Sequence, residues 1–379
     1  MKILVAPDKF KGTSTAQGVA DTLNKLIQKQ RSSAFVRVCP VADGGDGTLH
    51  TVIHVLKGKI VDAQAHDPLM RSHATTFGLT ELPEKNSAII EMAQVSGLSN
   101  LTPSERNPLL TTSYGTGELV IEAYKRGARH IRLALGGSAT IDGGLGFLQA
   151  LGAKISAKSD LPKGAGGQHL PLIEKINLES IHKNFKDLRL TGLVDVRVQL
   201  LGEFGSARFF GPQKGATPPM IEELERGMTH FEKVLSETSG TALKNQRGAG
   251  AAGGMGMALL ALGGKLDLGF DFVAETLKLE NQMRGCDLVI TGEGMLDASS
   301  LEGKAPVAVA LMAKKLGIPC VAVVGALDSN IIWLDEVGIS HVYSLFDKPI
   351  TADDEKVSQI PDRFNDAVIR LLKDFPEKS

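Results

Sequence analysis

The sequence predicts an α/β protein built from two α/β domains: a parallel, doubly wound domain of the Rossmann or flavodoxin-like kind, with a second α/β domain inserted into it. Three observations carry this reading. Short unbroken apolar runs, the mark of strands buried on both faces, open the chain and return near its end. Helical periodicity follows them, and parallel strands require such crossovers. The middle of the chain differs, with polar connectors and long glycine-rich turns. We place the parallel domain at 1–70 and 285–379, and the inserted glycine-rich domain at 71–284.

The first run, Ile3 to Ala6, reads as a strand. A helix is expected from about residue 14, where Ser14 and Gln17 have capping-box spacing. Val19, Leu23, Leu26 and Ile27 then share one helical face. A strand at about 34–41 empties into a glycine loop, and Leu49, Val52, Ile53 and Leu56 line the helix beyond it. Strands are expected at about 88–93 and 130–136, and 156–168 reads as a polar connector. Asp287 to Thr291 is a further strand. A helix at about 306–316 opens at Pro306, a favoured first-turn residue, and closes at Gly317. Cys320 to Gly325 reads as the next strand.

Composition narrows the function. The 379 residues suggest about two domains as a prior. Forty-two basic against 43 acidic residues leave a net charge of −1 and 5% are aromatic, which argues against nucleic acid or a membrane surface as the main partner. Cys39, Cys286 and Cys320 lie far apart without a Cys-x-x-Cys pair, so they read as reduced, inert thiols. No run approaches the roughly 18 apolar residues of a membrane span, and the N-terminus has no signal-type apolar region. A soluble cytoplasmic protein is expected. His50 and His54 stand four apart, but no third ligand lies near in sequence, so zinc is not expected.

Four glycine-rich loops carry the chemistry: Asp43-Gly-Gly-Asp-Gly-Thr48, Gly136-Gly-Ser-Ala-Thr-Ile-Asp-Gly-Gly144, Gly248-Ala-Gly-Ala-Ala-Gly-Gly-Met-Gly256 and Gly292-Glu-Gly-Met-Leu-Asp297. Glycine lets a backbone pass close to a ligand and turn its amides inward, and the neighbouring acids and hydroxyls suit Mg²⁺ or a substrate hydroxyl. Three of the loops follow expected strands, at the edge where doubly wound sheets bind ligands. Each also has a structural reading. Asp43 could simply cap a helix, and Ser138 or Thr140 could cap one starting near Asp142. A helix N-terminus is itself an anion site, so capping and phosphate binding are compatible. Gly248 to Gly253 matches G-x-G-x-x-G, but polar Lys244 to Arg247 precede it where a dinucleotide fingerprint needs a strand, so that reading is rejected. Asp8, Lys9 and Lys11 project at the end of the first strand, where a lysine can neutralise phosphate or carboxylate. Lys214 sits in the turn Phe210 to Gly215. Asp195 follows Leu193-Val194 and ends a strand or caps a turn. No Walker sequence, His-Arg-Asp loop or Gly-x-Ser-x-Gly elbow is present.

Taken in order, APDKFKGT, PVADGGDGT, EMAQVSGL, RNPLLTTSYGTGEL, LGGSATIDGG, FGPQKGA, GAGAAGGMG and DLVITGEGMLDASSLEGKAP resemble the type 1 glycerate kinase family of bacterial kinases nearly end to end. The resemblance implies phosphorylation of D-glycerate by ATP with Mg²⁺, with 2-phosphoglycerate the favoured product. It also implies an active site in an interdomain cleft. The chain departs from the family pattern at Asp46 (usually glutamate), Ile141 (usually asparagine), Val198 and Gln199 (usually asparagine and proline) and Met295 (usually arginine). Arg197 is a candidate substitute for that last charge.

Against this family, Asp195 is the leading catalytic base, and Lys11, with Asp8 near it, neutralises charge. Gly136, Gly137, Ser138, Thr140, Gly248, Gly250, Gly253 and Lys214 are expected around the nucleotide phosphates. Asp43, Gly44, Gly45, Glu293, Asp297 and Lys304 are expected around glycerate, with Glu293 and Asp297 also candidates for Mg²⁺. Two other readings stay open: a kinase for another small hydroxy acid, and a catalytically silent metabolite-binding regulator. A homodimer is compatible with the chain, whose oligomeric state stays open.

Overall fold

Apolar segments from the two ends of the chain pair in one sheet of the computed structural model, which describes residues 1–81, 84–194, 198–350 and 354–376. Its strand order is Ile339–Ser344, Cys320–Val324, Leu288–Thr291, Lys2–Val5 and Phe35–Val38, all parallel. Side chains alternate between two buried faces. Leu4, Val289 and Ala322 enter one core with Val307, Ala310 and Ala313 of the helix Ala305–Lys315. Ile3, Val5, Ile290 and Val321 enter the other, with Val19, Leu23 and Ile27 of Ala16–Gln30 and Phe364, Val368 and Leu371 of Ile360–Asp374. Burial on both faces is why the three central strands, Lys2–Val5, Leu288–Thr291 and Cys320–Val324, read as apolar runs.

A second, six-stranded sheet runs Lys265–Leu268, Arg189–Val194, His130–Ala134, Ser87–Glu91, Ser72–Thr80 and Lys59–His66. The first four are parallel and the last two form an antiparallel hairpin on Ser87–Glu91. Its core holds Phe77, Ile90, Leu133, Phe147, Phe231 and Leu259, all fully buried.

Contacts divide the chain into two compact units, Met1–Asp43 with Phe270–Ser379, and Gly44–Gly269. The divisions expected at 70/71 and 284/285 are therefore displaced, and the packing shows why. A break at 70/71 would cut the hairpin, whose turn Asp67 closes by accepting from the amides of Leu69 and Arg71 at 2.9 Å each. Phe270, Ala274, Leu279 and Met283 pack with Leu4 and Val289, so their helices belong with the five-stranded sheet.

The first long helix also starts one residue later than the capping-box spacing implies. Thr15, not Ser14, is its N-cap and accepts from Gly18 N at 3.1 Å. Ser14 is held back in a bridge with Phe10, whose amide bonds the Ser14 carbonyl at 2.9 Å. Pro306 does open its helix, and Gly317, at φ 70°, follows its C-cap Leu316. Among the described residues no helix is long and apolar enough to cross a membrane. The three cysteines are free. Burial raises the Cys39 thiol to about 11 and Cys320 to about 12, and raises half-buried Cys286.

Candidate active site

In the parallel-sheet unit, three chain segments bring acids to the carboxyl edge of the strands. The segment after Lys2–Val5 carries Asp8, whose amide bonds the Gly292 carbonyl at 2.8 Å. That bond joins it to the loop after Leu288–Thr291, which carries Glu293 and Asp297. Asp43 ends the segment that follows Phe35–Val38. Glycine is required here by close backbone passage. A Cβ on Gly292 would stand 1.9 Å from the Val323 carbonyl oxygen, and one on Gly325 2.4 Å from that of Gly294.

The electrostatics of this cluster are unusual. Asp8 is 6% exposed; burial first, then the neighbouring Asp43, raises its carboxyl to about 8, against the opposing pull of Lys9. Glu293 is 7% exposed; burial raises it to about 7, with Asp297 and Asp43 adding to the rise. Lys304 opposes that, its Nζ lying 3.7 Å from Glu293 Oε2 and 3.6 Å from Asp297 Oδ1. Ser300 donates to Glu293 Oε1 at 2.7 Å, and Asp297 Oδ1 accepts from the Ser299 amide at 2.9 Å. The structure thus brings together Asp8, Asp43, Glu293, Asp297 and Lys304 from the expected set. Lys11 is exposed on the next turn, beside Gly12. Acids titrating near neutrality beside a cation, at a sheet edge, mark a candidate functional site.

In the other unit the glycine loops have two different uses. Lys214, only 3% exposed, donates to Ser138 Oγ at 2.9 Å and to the Thr140 carbonyl at 2.8 Å, so those three residues meet. Gly137 is exposed, with φ 79°, and Gly136 half-buried. The Thr140 hydroxyl is buried without a hydrogen-bond partner. Gly248, Gly250 and Gly253, by contrast, are buried, Gly248 against the Leu266 and Val194 side chains and the other two against protein backbone. A Cβ on Gly250 would meet the Gln199 carbonyl at 2.1 Å and one on Gly253 the Thr140 carbonyl at 1.9 Å. The Gly143 amide bonds the Gly253 carbonyl at 2.9 Å, so the two loops interlock. Gly44 likewise packs on Gly269, where a Cβ would stand 2.4 Å from Cα, and Gly45 is buried.

The helix expected after Ser138 and Thr140 is Leu145–Leu151, and neither hydroxyl caps it. Asp142 does the work instead. Fully buried, it accepts from Ser113 N and Oγ at 2.8 and 2.7 Å, from Gly144 N at 3.1 Å and from Gly146 N at 3.3 Å. Burial raises its carboxyl against these bonds. Three further residues sat in the motifs with no role read for them. Glu91, 1% exposed and raised by burial, takes the Leu49 amide at 2.8 Å. Thr111 donates to the Ala139 carbonyl at 2.9 Å, bracing the glycine loop. Arg106 stands against Gly215. Their one sequence signal was membership of EMAQVSGL and RNPLLTTSYGTGEL. Asp195, the leading base, and Arg197 lie outside the described residues.

Among the described residues no three His, Cys, Asp or Glu side chains form a group able to hold a metal alone. Two carboxylates completed by phosphate oxygens and water are the usual Mg²⁺ arrangement with nucleotides, and Glu293 and Asp297 offer that donor set.

An acid cluster at a parallel sheet edge and a lysine-tied glycine loop are parts that a phosphoryl-transfer enzyme requires. A family model described as the glycerate kinase family matches residues 3–373. A glycerate kinase of Haemophilus influenzae is 40% identical over 346 residues, covering 91% of each chain. A glycerate 2-kinase of Escherichia coli is 39% identical over 355 residues, covering 93% of each. A crystal structure from Salmonella typhimurium LT2, provisionally assigned as glycerate kinase 2, matches with a TM-score of 0.79 at 34% identity. That match covers 99% of this chain and 98% of the other. The fold and these relatives define a kinase. The chain belongs to the glycerate kinase family.

Proposed function

We propose that this protein transfers the γ-phosphoryl group of ATP to D-glycerate, with Mg²⁺, giving 2-phosphoglycerate and ADP in a reducing cytoplasm. The observation that carries the chemistry is the pairing of Asp8 and Glu293, two buried acids held at about 8 and about 7. Groups poised there can exchange a proton at physiological pH. The glycerate kinase and glycerate 2-kinase relatives supply the substrate class.

In this reading an acid takes the proton of the acceptor hydroxyl, the hydroxyl oxygen bonds to the γ-phosphorus, and the bond to the β-bridging oxygen breaks. Asp195 is the leading base, with Asp8 the second candidate. Mg²⁺, held by Glu293 and Asp297, would supply charge neutralisation on the phosphates. Lys304 and Lys11 balance charge on the acid side, and Asp43 with Gly44 and Gly45 help orient glycerate. Lys214, Ser138, Thr140, Gly136 and Gly137 receive phosphate oxygens. The buried Gly248, Gly250 and Gly253 serve chiefly by shaping that loop.

Phosphorus NMR of the product formed from D-glycerate and Mg-ATP tests the reaction and the position of transfer together. A 3-phosphoglycerate signal would overturn the position, and no product would overturn the reaction. A panel of small hydroxy acids in a coupled ADP-release assay separates glycerate from a related substrate, the alternative that the departures at Ile141, Val198 and Met295 raise. Asp195→Asn should lower turnover by about 100-fold or more if Asp195 is the base.

A further inference from the structure

We infer that Arg106 completes an oxyanion subsite in the glycine-loop unit, beside Lys214, Ser138 and Thr140. The inference rests on the kinase reading above and adds a residue that reading does not use.

Arg106 opens the segment that braces the glycine loop. A Cβ on Gly215 would stand 2.2 Å from the Arg106 carbonyl oxygen and 2.9 Å from its own Cβ, so its side chain starts against the residue next to Lys214. Lys214 reaches back to Ser138 Oγ and the Thr140 carbonyl. Farther along the segment, Pro108 O and Ile141 O would lie 2.6 and 2.7 Å from a single Cβ on Gly167, and Thr111 bonds the Ala139 carbonyl. The segment that begins at Arg106 thus runs alongside the loop 136–144, tied to it through Thr111 and packed with it around Gly167.

Two polar groups of this neighbourhood have unused hydrogen-bonding capacity. Arg106 Nε is buried without a hydrogen-bond partner, and Thr140 Oγ1, on a fully buried residue, has none either. No carboxylate among the described residues ion-pairs with Arg106. Buried donors left unmade are costly and need an explanation. In the inferred subsite the Arg106 fork, the Thr140 hydroxyl and Lys214 share one oxyanion, since arginine takes carboxylate or phosphate in two-point contact. That oxyanion is either a nucleotide phosphate or the carboxylate of the hydroxy acid.

The experiment compares the wild type with Arg106→Ala and Arg106→Lys, titrating ATP and D-glycerate separately. Wild-type turnover is measured first; its absence would defeat the kinase reading, not this one. With an active wild type, Arg106→Ala should raise the KM for one substrate by about 10- to 100-fold while the other changes little. A rise for ATP assigns the subsite to phosphate, and a rise for D-glycerate assigns it to carboxylate. Arg106→Lys should recover only part of the loss, and added guanidinium ion should restore Arg106→Ala in part, which a purely structural defect would not allow. Thermal melting confirms folding, and if Arg106→Ala does not fold, Arg106→Lys carries the comparison alone. Unchanged KM values for both substrates in a folded variant, or loss without any guanidinium rescue, would overturn the assignment.

Discussion

Ser300 donates its hydroxyl hydrogen to Glu293 at 2.7 Å, and the bond lands on a carboxyl that burial has raised to about 7. The bond favours the charged form, so it restrains the rise. Ser300→Ala should move the Glu293 titration to higher pH. The acid limb of kcat/KM, followed from pH 5.5 to 9, should shift the same way, and an unmoved limb would count against Glu293 as a group whose ionisation matters.

Asp8 makes a prediction about stability. Its folded carboxyl holds a proton up to about 8, whereas an ordinary aspartate releases it near 3.8. Between those values the folded state binds more protons than the unfolded chain, so this contribution to stability is complete at low pH and is lost as pH rises through about 8. Asp8→Asn removes the cost of burying that charge. Relative to wild type, the variant should gain melting temperature at pH 8.5 over its standing at pH 5, while losing activity. A difference independent of pH, read by thermal denaturation, would refute the linkage.

Asp142→Asn should weaken the fold. Asparagine keeps one acceptor oxygen and turns an NH₂ toward donors that Asp142 now satisfies from Ser113, Gly144 and Gly146. Leaving buried donors unpaired costs roughly 1–3 kcal/mol each, so a loss of about 3 kcal/mol in urea unfolding is expected. A loss under about 0.5 kcal/mol, ordinary for a surface change, would show that the network is not structural.

Gly253→Ala and Gly12→Ala separate crowding from backbone conformation. Both glycines have positive φ, 69° and 81°. A Cβ at Gly253 would overlap the Thr140 carbonyl at 1.9 Å, whereas nothing lies within 4 Å of one at Gly12. Gly12→Ala should cost about 1 kcal/mol from conformation alone. Gly253→Ala should cost several times that or prevent folding, measured by the same denaturation curves.

The elements of the parallel sheet were legible because their physics is local. Ile3 to Ala6 and Cys320 to Val324 are apolar on both faces, and Pro306 and Gly317 bracket their helix by rules of backbone conformation. The acid cluster was legible as residue types at strand ends. What sequence could not separate were the two reasons for having no side chain. Gly137 is exposed and left-handed at φ 79°, while Gly250 and Gly253 are bare because another segment's backbone passes there. The unit boundaries were misplaced because the hairpin at Lys59–Thr80 and the helices after Gly269 declare their allegiance only through partners remote in the chain. Arg106, Glu91 and Asp142 were visible as letters within motifs, but burial and unmet hydrogen bonds exist only in three dimensions.

The bond from the Gly143 amide to the Gly253 carbonyl has a consequence for biosynthesis. A ribosome delivers the earlier stretch long before the later one exists, so the first loop emerges without the strand of chain that closes it. It must wait, unfinished, until its distant counterpart is released. A nascent polypeptide halted before Gly253 cannot complete this region, however well its upstream sheet has formed.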